Sequence, residues 1–405
     1  MDIKPILSAL GRHRIATTLI VLEIALACAV LCNAFFLVSG RLALIGTPSG
    51  LPEDSITFVA LRGCDGCSHA DANARATAAL RAVPGVQSVG VVNAMPFGLR
   101  TGDAGLSLDR EGKHIAGVPH FYLFGPGAIE AMGLRPETGR EFTADDFQQA
   151  ESFLPASSQV WITRALAAHL WPGEDPLGRE FWMADMHLRV VGVVASFSRP
   201  NPGRSENGIA SKEWSVIVPL ADESQSGVYV VRADPADLPR VAEAAPGAVA
   251  AAIPEAVIDL EYSRPLQELR ERYFRADRAM AWLLVAVIAT MLLVTALGIV
   301  GLASFWVQQR TRQIGIRRAL GARRVDILRY FHLENFLLAS FGIALGMLMA
   351  YAGNLLLMRF FELDRLPLYF LPWGALSLWL LGQLAVLGPA RRAMSIPPAL
   401  ATRSA

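Results

Sequence analysis

Four long apolar runs constrain this chain more than any other feature of its sequence. They cover residues 15–38, 279–307, 331–358 and 371–388. A helix needs about 20 apolar residues to cross the hydrocarbon core of a bilayer. Only helices and closed barrels satisfy their backbone polar groups in that environment. The sequence therefore predicts an α-helical membrane protein with four transmembrane helices.

The overall composition agrees with a chain that is part membrane protein and part water-soluble domain. Of its 405 residues, 53% are hydrophobic and 18% are charged, whereas soluble domains carry about 25% charged residues. The formal net charge is +1. No segment interleaves aromatic and basic residues as nucleic-acid surfaces do. Nucleic acid is therefore not expected as a partner.

The first apolar run reads as an uncleaved membrane span. It is longer than the 7–15 residue apolar core typical of a signal peptide, and it lacks a clear cleavage site. The preceding segment, residues 1–14, is basic and is predicted to be cytoplasmic. Glu23 lies inside the run, and an acid within the membrane suggests a functional role. The alternative is that Glu23 lies near the cytoplasmic end and faces a neighbouring helix.

The polar region between the first two runs, residues 39–262, is long enough for one or two domains. Residues 55–61 and 86–93 have the pattern of strands, and residues 69–83 between them have the pattern of a helix. This order predicts a large α/β (α+β) extracytoplasmic domain inserted between helices 1 and 2. Its serines, histidines and carboxylates form no recognisable catalytic motif, so an enzyme is not expected.

The four cysteines fall into two pairs. Cys64 and Cys67 form a C-x-x-C motif, which is compatible with a local disulfide, a redox pair or half of a zinc site. No second C-x-x-C completes a zinc site, so no metal is expected, and an oxidising compartment favours the disulfide. Cys28 and Cys32 lie in the first apolar run and are interpreted as small packing residues.

The segment before the second run, residues 263–278, has the pattern of a charged amphipathic helix. Pro265 suits an early helical position. The predicted helix is continuous with the second span, which makes it a candidate stalk that transmits movement; the alternative is a simple juxtamembrane helix. Its candidate stalk residues are Leu266, Leu269, Tyr273 and Phe274.

The basic motif, residues 308–330, separates the second and third runs and contains seven arginines and one acid between Gln308 and Arg329. Short arginine-rich loops stay in the cytoplasm. The pattern predicts a helix, bent near Gly315 and Gly321 because glycine is a poor helix-interior residue. Such a segment is either an anchor at anionic headgroups or a docking surface for another protein.

The third run contains Gly342 and Gly346 in G-x-x-x-G spacing, which lets helices approach closely in a membrane. The sequence alone leaves open whether this is a dimer contact or a contact within the bundle. Residues 359–370 are predicted to be a short periplasmic loop, and the basic tail, residues 389–405, is predicted to be cytoplasmic.

The basic motif resembles that of FtsX-like, MacB-type ABC transporter permeases, whose pattern is R-x-x-E-I-G-x-R-x-A-x-G-A. Gln313 stands where that family usually has glutamate. The resemblance implies that ten residues couple the chain to an ATPase: Gln309, Arg310, Gln313, Ile314, Gly315, Arg317, Arg318, Ala319, Gly321 and Ala322. The inserted region also resembles the two-lobed periplasmic core domain of MacB-type proteins. The residues that carry this second resemblance are Pro126, Gly127, Met132, Gly133, Gly139, Arg140 and Phe142, together with residues 170–178 and 190–194.

This resemblance implies a permease subunit of the bacterial inner membrane. No P-loop motif is present in the sequence, so no cofactor is expected on this chain, and ATP and magnesium are expected on a separate ABC ATPase. The other expected partners are a second permease copy or paralogue, a periplasmic adaptor and an outer-membrane channel. The expected activity is mechanotransmission that drives export of peptide, antibiotic or lipid-linked cargo. The alternatives are an FtsX-like signalling scaffold that activates a cell-wall hydrolase, and a lipoprotein-release permease.

Overall fold

The structure is a computed structural model that describes residues 14–64, 66–98, 102–150, 153–205, 207–221, 227–360 and 365–396. The chain divides into two compact units. Met1–Leu42 and Asp277–Ala405 form the four-helix unit, and Ala43–Ala276 form the inserted domain.

The helices and strands of the described residues are as follows. The helices are α1 (Arg14–Ile45), α2 (His69–Arg81), α3 (Ala128–Met132), α4 (Arg164–Leu170), α5 (Leu238–Ala252), α6 (Leu266–Tyr273), α7 (Arg275–Gln309), α8 (Thr311–Ala319), α9 (Arg324–Phe360) and α10 (Leu371–Met394). The strands are β1 (Ile56–Cys64), β2 (Val86–Val92), β3 (Leu106–Ser107), β4 (Ile115–Gly117), β5 (His120–Phe124), β6 (Thr138–Gly139), β7 (Ser157–Thr163), β8 (Glu180–Met183), β9 (Met186–Val194), β10 (Ser215–Pro219), β11 (Val228–Ala233) and β12 (Ala256–Ile258).

Four of these helices, α1, α7, α9 and α10, are long and apolar enough to cross a membrane. They correspond to the four apolar runs, and the inserted domain lies between the first and second of them, as the sequence predicts. The helix ends differ from the predicted ones. Helix α9 begins at Arg324, so the last seven residues of the basic motif, 324–330, are the first part of the third long helix.

Helix α10 also extends beyond its predicted end at residue 388. It continues through Pro389 to Met394, although a proline inside a helix removes a backbone hydrogen bond. Ala390 and Ala393 are fully buried in the apolar core of the four-helix unit. This packing holds the helix together past the proline, so residues 389–394 are helical and not the start of an extended tail.

The G-x-x-x-G pair of α9 packs against α1. A Cβ atom at Gly342 would lie 2.7 Å from Ile24 Cβ, and one at Gly346 would lie 2.5 Å from both Ala25 O and Cys28 Cβ. These distances leave no room for a side chain, so the two backbones approach closely. The pair is therefore a contact within the bundle.

The strands of the inserted domain form one sheet in the order β12-β1-β11-β2-β5-β10-β7-β9-β8-β3-β4, and β6 pairs with β9. Strands β1 and β2 flank β11, and both are antiparallel to it. Together with α2 they form a β-α-β unit whose two strands are separated by a third. Helices α2 and α5 cover this part of the sheet through a core that includes Ala76, Leu80, Val241 and Val249.

The other part of the sheet has its own apolar core, under β7, β9, β10 and helix α4. The two parts are joined by the single pairing of Val92 with Phe124. Two of the residues that resemble the MacB-type pattern have structural roles here. The Phe142 ring stacks on Trp161 at 4.3 Å, and Arg140 donates to both oxygens of Asp146, at 2.6 and 2.9 Å.

The predicted stalk, residues 263–278, is not one continuous helix. Helix α6 ends at Tyr273, and Phe274 leaves the helical conformation before α7 begins. Leu266, Leu269, Tyr273 and Phe274 are all buried in the core of the inserted domain. The apolar face of the predicted stalk is the face with which α6 packs in the core of the inserted domain. Burial of Phe274 accounts for the break between α6 and α7.

A buried charged cluster lies beneath the loops of the inserted domain. His120 Nδ1 lies 3.0 Å from Asp103 Oδ1, and Arg199 Nη2 lies 2.7 Å from Asp103 Oδ2. His120 and Arg199 are fully buried. Burial lowers the pKa of His120 below its ordinary value despite the neighbouring carboxylate. Burial alone would raise the pKa of Asp103, but its contacts with His120 and Arg199 outweigh burial and lower it.

The close packing of α9 on α1 predicts opposite effects for two glycine substitutions in the same helix. Gly346→Ala should destabilise the chain by about 1 to 3 kcal/mol because its new methyl group overlaps α1. Gly353→Ala is the matched control, because a Cβ atom at Gly353 meets nothing within 4 Å, and it should be neutral or stabilising by about 0.5 to 1 kcal/mol. The thermal midpoints of the purified, detergent-solubilised chains measure both effects. Equal midpoints for the two variants would contradict the packing.

The buried histidine predicts that the inserted domain loses stability in acid. Below about pH 6.5 the unfolded chain binds a proton at residue 120 that the folded chain does not, so stability falls by up to about 1.4 kcal/mol per pH unit. His120→Gln should reduce the decline in thermal midpoint between about pH 7.5 and about pH 5.5, and the same change at the exposed His114 should not. An unchanged decline in His120→Gln would rule out His120 as its source.

Candidate functional site

The basic motif forms a helix, a tight turn and the start of a second helix. Helix α8 ends with hydrogen bonds from Gly321 N to Arg318 O and from Ala322 N to Arg317 O, both 3.1 Å. Gly321 has a φ of 97°, a left-handed conformation that glycine adopts without strain and that commonly ends helices. The bend therefore lies at Gly321, as the sequence predicts.

Gly315, the other predicted bend position, lies inside α8 and is buried. The start of α9 is fixed by Asp326, whose Oδ2 accepts a hydrogen bond from Arg323 N at 3.0 Å. A carboxylate at this position satisfies a backbone donor that has no partner within the helix. The single acid of the motif thus has a structural role.

A buried ion pair holds the junction between α7 and α8. Arg310 Nη1 donates to both carboxylate oxygens of Glu334, at 3.0 Å each. The Glu334 side chain is 2% exposed and that of Arg310 is 13% exposed. The guanidinium group also lies 5.5 Å from the centre of the Trp306 ring. A buried charge is stable only when it is paired, so Arg310 and Glu334 fix the beginning of α8 to the side of α9.

Sequence reasoning did not identify Glu334, because Glu23 stood out as the only conspicuous acid in the apolar runs. Glu334 is also an acid inside such a run, and the rule that singled out Glu23 applies equally to it. Its partner was not predictable from spacing, since Arg310 lies 24 positions earlier.

A second anchor is apolar. Ile314 is 5% exposed and packs in the same core as Val307, Ile327 and Phe331. Because residues three and four apart share a helix face, burial of Ile314 turns the opposite side of α8 outward. That side is the exposed face of α8, defined here as Gln313, Ile316, Arg317 and Leu320.

The exposed face carries an unusual amount of apolar surface for a basic segment. Leu320 is 83% exposed and Ile316 is 47% exposed. Gln309, Gln313, Ala319 and Gly321 are exposed as well, and Ala322 is half-buried. The turn at Gly321 interrupts the helix, so Ile314 is buried whereas Ala319 and Val325 are exposed.

Two further arginines of the motif contact nearby elements. The Arg317 guanidinium lies 5.1 Å from the centre of the Tyr330 ring on α9, and Arg318 donates a hydrogen bond to the carbonyl of Ile396. These contacts use the arginines to fix α8 against α9 and the end of α10. The basic motif is thus held in place by these contacts, while the apolar side chain of Leu320 stays exposed.

Glu23 faces the neighbouring helix α7. A Cβ atom at Gly298 would lie 2.6 Å from both carboxylate oxygens of Glu23, so the missing side chain of this glycine makes room for the carboxylate. Glu23 is half-buried. This is the arrangement of the simpler alternative, in which the acid faces another helix of the bundle.

Cys64 and Cys67 are joined by a disulfide, with their Cα atoms 5.6 Å apart. The pair ends β1, where Cys64 is opposite Ala256 of β12. Among the described residues no group of three or more histidine, cysteine, aspartate or glutamate side chains is placed to hold a metal ion. Cys28 and Cys32 are free thiols buried in α1.

One arrangement in the inserted domain has the order of a hydrolytic triad. Ser157 Oγ lies 3.2 Å from His187 Nδ1, and His187 Nε2 lies 3.1 Å from Glu180 Oε2. The register of the strands accounts for it, because Ser157 is directly opposite His187 in adjacent β7 and β9, and cross-strand polar pairs are common on exposed sheet faces. The side chains of His187 and Glu180 are 31% and 44% exposed, so we assign them no catalytic role.

Two known protein families match different parts of this chain. Residues 17–248, more than half of its length, match the MacB-like periplasmic core domain. Residues 285–398, which include the basic motif, match the FtsX-like permease C-terminal domain. The chain belongs to the MacB-like permease family. It is thus a membrane protein of a permease family with a MacB-like periplasmic core domain.

Relatives of this permease include several macrolide exporters. The macrolide export ATP-binding/permease protein MacB of Rhodospirillum rubrum is 29% identical over 277 residues, 65% of this chain and 40% of that protein. MacB of Marinobacter nauticus is 25% identical over 56% of this chain and 35% of that protein. This permease thus spans well under half the length of these two relatives. The uncharacterized ABC transporter permease YknZ of Bacillus subtilis is 25% identical over 68% of each chain.

Solved structures of two periplasmic or extracellular domains also align with this permease. The extracellular domain of YknZ from Gram-positive bacteria aligns with a TM-score of 0.33 and 14% identity, over 50% of this chain and 99% of that domain. The periplasmic region of MacB from Actinobacillus actinomycetemcomitans aligns with a TM-score of 0.33 and 16% identity, over 52% and 90% of the two chains.

Breaking the Arg310–Glu334 ion pair should destabilise the chain, and the size of the loss should depend on whether the other residue of the pair is still present. Glu334→Gln leaves the buried Arg310 charge without its counter-charge and should cost about 3 to 5 kcal/mol. Replacing both residues with glutamine removes the unpaired charge and should recover a large part of that loss. Thermal midpoints of the four purified chains measure this cycle, with the exposed Arg312→Gln as a control. Additive effects of the two single substitutions would show that the side chains do not form a pair.

Proposed function

We propose that this chain is the permease subunit of an ABC transporter and that a separate ATPase docks on the exposed face of α8. The observation that carries the proposal is the solvent-exposed Leu320, presented by a helix whose other side is fixed by Ile314 and the Arg310–Glu334 pair. Exposed apolar side chains within a polar rim are typical of protein interaction sites. Family membership supplies the kind of partner.

In this proposal the docked ATPase moves the helix ends to which α8 is attached. Arg310 follows α7 directly, and Glu334 lies on α9, so a force on α8 acts on both helices through a bidentate contact. Helix α9 continues without a break from Arg324 to Phe360. A rigid helix of this length transmits displacement along its axis, which is the mechanical step that we infer for this permease.

The arginine-rich motif places α8 in the cytoplasm, according to the rule that basic short loops stay inside. The inserted domain is then in the periplasm of a bacterium whose inner membrane holds the four long helices. ATP and magnesium bind to the ATPase chain and not to this one. A second permease copy or paralogue, a periplasmic adaptor and an outer-membrane channel complete the proposed assembly.

The cargo class in this proposal is peptide, antibiotic or lipid-linked molecules collected in the periplasm. The large inserted domain supports export over signalling, since two lobes of sheet and helix offer surface for both cargo and an adaptor. In this scheme the cargo reaches the channel without passing between the four long helices.

Leu320→Asp should abolish co-purification of the ATPase while leaving the fold unchanged, because it places a charge in the apolar centre of the proposed contact. Ile115→Asp is the matched control, since Ile115 is also largely exposed, at 70%, but lies on β4 of the inserted domain, outside the basic motif. The measurement is a pull-down of the tagged permease in mild detergent, with the co-purifying chains identified and the thermal midpoint recorded.

An ATPase that binds wild type and Ile115→Asp but not Leu320→Asp supports the docking surface. Equal binding to all three chains would exclude the exposed face of α8 as the docking site. Recovery of a cell-wall hydrolase with the ATPase, in place of an adaptor, would replace export with signalling.

A further inference from the structure

The inserted domain contains an apolar pocket that neither family membership nor the proposed coupling explains. Its volume is about 200 Å³. An apolar cavity of about 150 Å³ is large enough to bind a benzene ring. The pocket is therefore large enough for one aromatic ring or one branched alkyl group. Its lining residues are Ala60, Leu61, Ala94, Met95, Gly98, Val228, Asp259 and Tyr262.

The walls of the pocket are apolar and rigid. Ala60 and Leu61 belong to β1 and Val228 belongs to β11, which are paired strands. Ala94 and Met95 follow β2, and all five side chains are at most 4% exposed. Because these walls are parts of a hydrogen-bonded sheet and its core, the pocket is formed before any ligand arrives, and a ligand loses little affinity to reorganisation.

The turn that forms one side of the pocket is strained. Phe97 has a φ of 61°, a left-handed conformation that is rare for a bulky residue. The centre of its ring lies 6.0 Å from that of the Tyr273 ring and 5.5 Å from that of the Phe274 ring. Gly98 N donates a hydrogen bond to Met95 O at 3.2 Å. Packing of Phe97 thus holds this turn in a conformation that keeps Met95 and Gly98 at the pocket wall. Such strain often occurs at binding sites.

The mouth of the pocket is polar and acidic. The Asp259 side chain is only 14% exposed, and its nearest cation is Arg62, at 3.4 Å on a side chain that is 69% exposed. A contact of this length to a solvated arginine neutralises little of the carboxylate charge. The half-buried Tyr262 lies beside it, and burial raises the pKa of its hydroxyl. Leu260, between these two residues in the chain, is 65% exposed.

We propose that this pocket binds a small amphiphile whose apolar ring or branched alkyl group fills the cavity and whose protonated amine pairs with Asp259. The apolar walls select the ring or branched alkyl group, and the weakly neutralised Asp259 carboxylate at the mouth selects the protonated amine. Ligand sites in proteins commonly combine an apolar lining with a few placed polar groups in this way. The proposal concerns the inserted domain alone and does not rest on ATPase docking.

The test follows the methyl group of Met95 in the full chain. Protein labelled with ¹³C-methyl methionine is purified in detergent, the Met95 signal is assigned with Met95→Leu, and 2-phenylethylamine is titrated to about 10 mM, a range that detects millimolar affinities. The Met95 signal should shift and saturate. The signal of Met183, buried in the other part of the sheet, is the control for non-specific effects of the ligand on the domain and should not shift.

Three variants and one analogue identify the groups that bind. Ala94→Leu fills the pocket and should abolish the Met95 shift, and Ala60→Val is a second filling variant in case the first does not fold. The neutral 2-phenylethanol should bind about tenfold more weakly than the amine, the loss of one charge-assisted hydrogen bond. Asp259→Asn should remove that preference, because the amide still accepts the hydrogen bond from Glu261 N but carries no charge.

Absence of a saturable Met95 shift, or the same shift in the filled variants, would overturn the proposed site. Equal affinities for the amine and the alcohol in wild type would overturn the role of Asp259 and the amine class of ligand. Neither result bears on the pull-down of the ATPase, so failure of this inference and failure of the proposed function are distinguishable.

Discussion

The buried pair of Arg310 and Glu334 is the interaction on which the arrangement of the basic motif depends. Two charges have been removed from water, and each is stable only because the other is present. One belongs to the junction of α7 and α8, and the other to the first third of α9. Their contact fixes the beginning of α8 to α9, and burial of Ile314 determines which side of α8 is exposed. The arginines at 317 and 318 reinforce the same placement through Tyr330 and the carbonyl of Ile396.

The packing of the long helices depends on glycines, because their missing side chains leave room for neighbouring groups. Gly342 and Gly346 bring α9 onto α1, and Gly298 makes room for the carboxylate of Glu23. In a membrane the apolar side chains gain little by leaving lipid, so close backbone contact and buried polar groups supply much of the specificity. The positions of glycines and acids, rather than the apolar residues between them, determine how these helices fit together.

The inserted domain has a closely packed core beside an accessible apolar pocket. Helix α6 is packed in the core through Leu266, Leu269, Tyr273 and Phe274, so it moves with the domain and not as a separate stalk. The same aromatic residues hold Phe97 in its strained turn beside the apolar pocket. The packing of Phe274 and the shape of the pocket wall therefore depend on the same aromatic contacts.

The sequence by itself determined the four apolar helices, the position of the insert, the turn at Gly321 and the family, because each depends on residues close together in the chain. Helix length, glycine conformation and a motif of thirteen positions are all local properties. Only the tertiary structure decided which acid pairs with Arg310, which helix the glycines contact, that the stalk is interrupted and buried, and that a pocket exists between β1, β11 and Asp259. These features join residues far apart in sequence, and an apolar pattern cannot specify which face of one helix or strand meets which face of another.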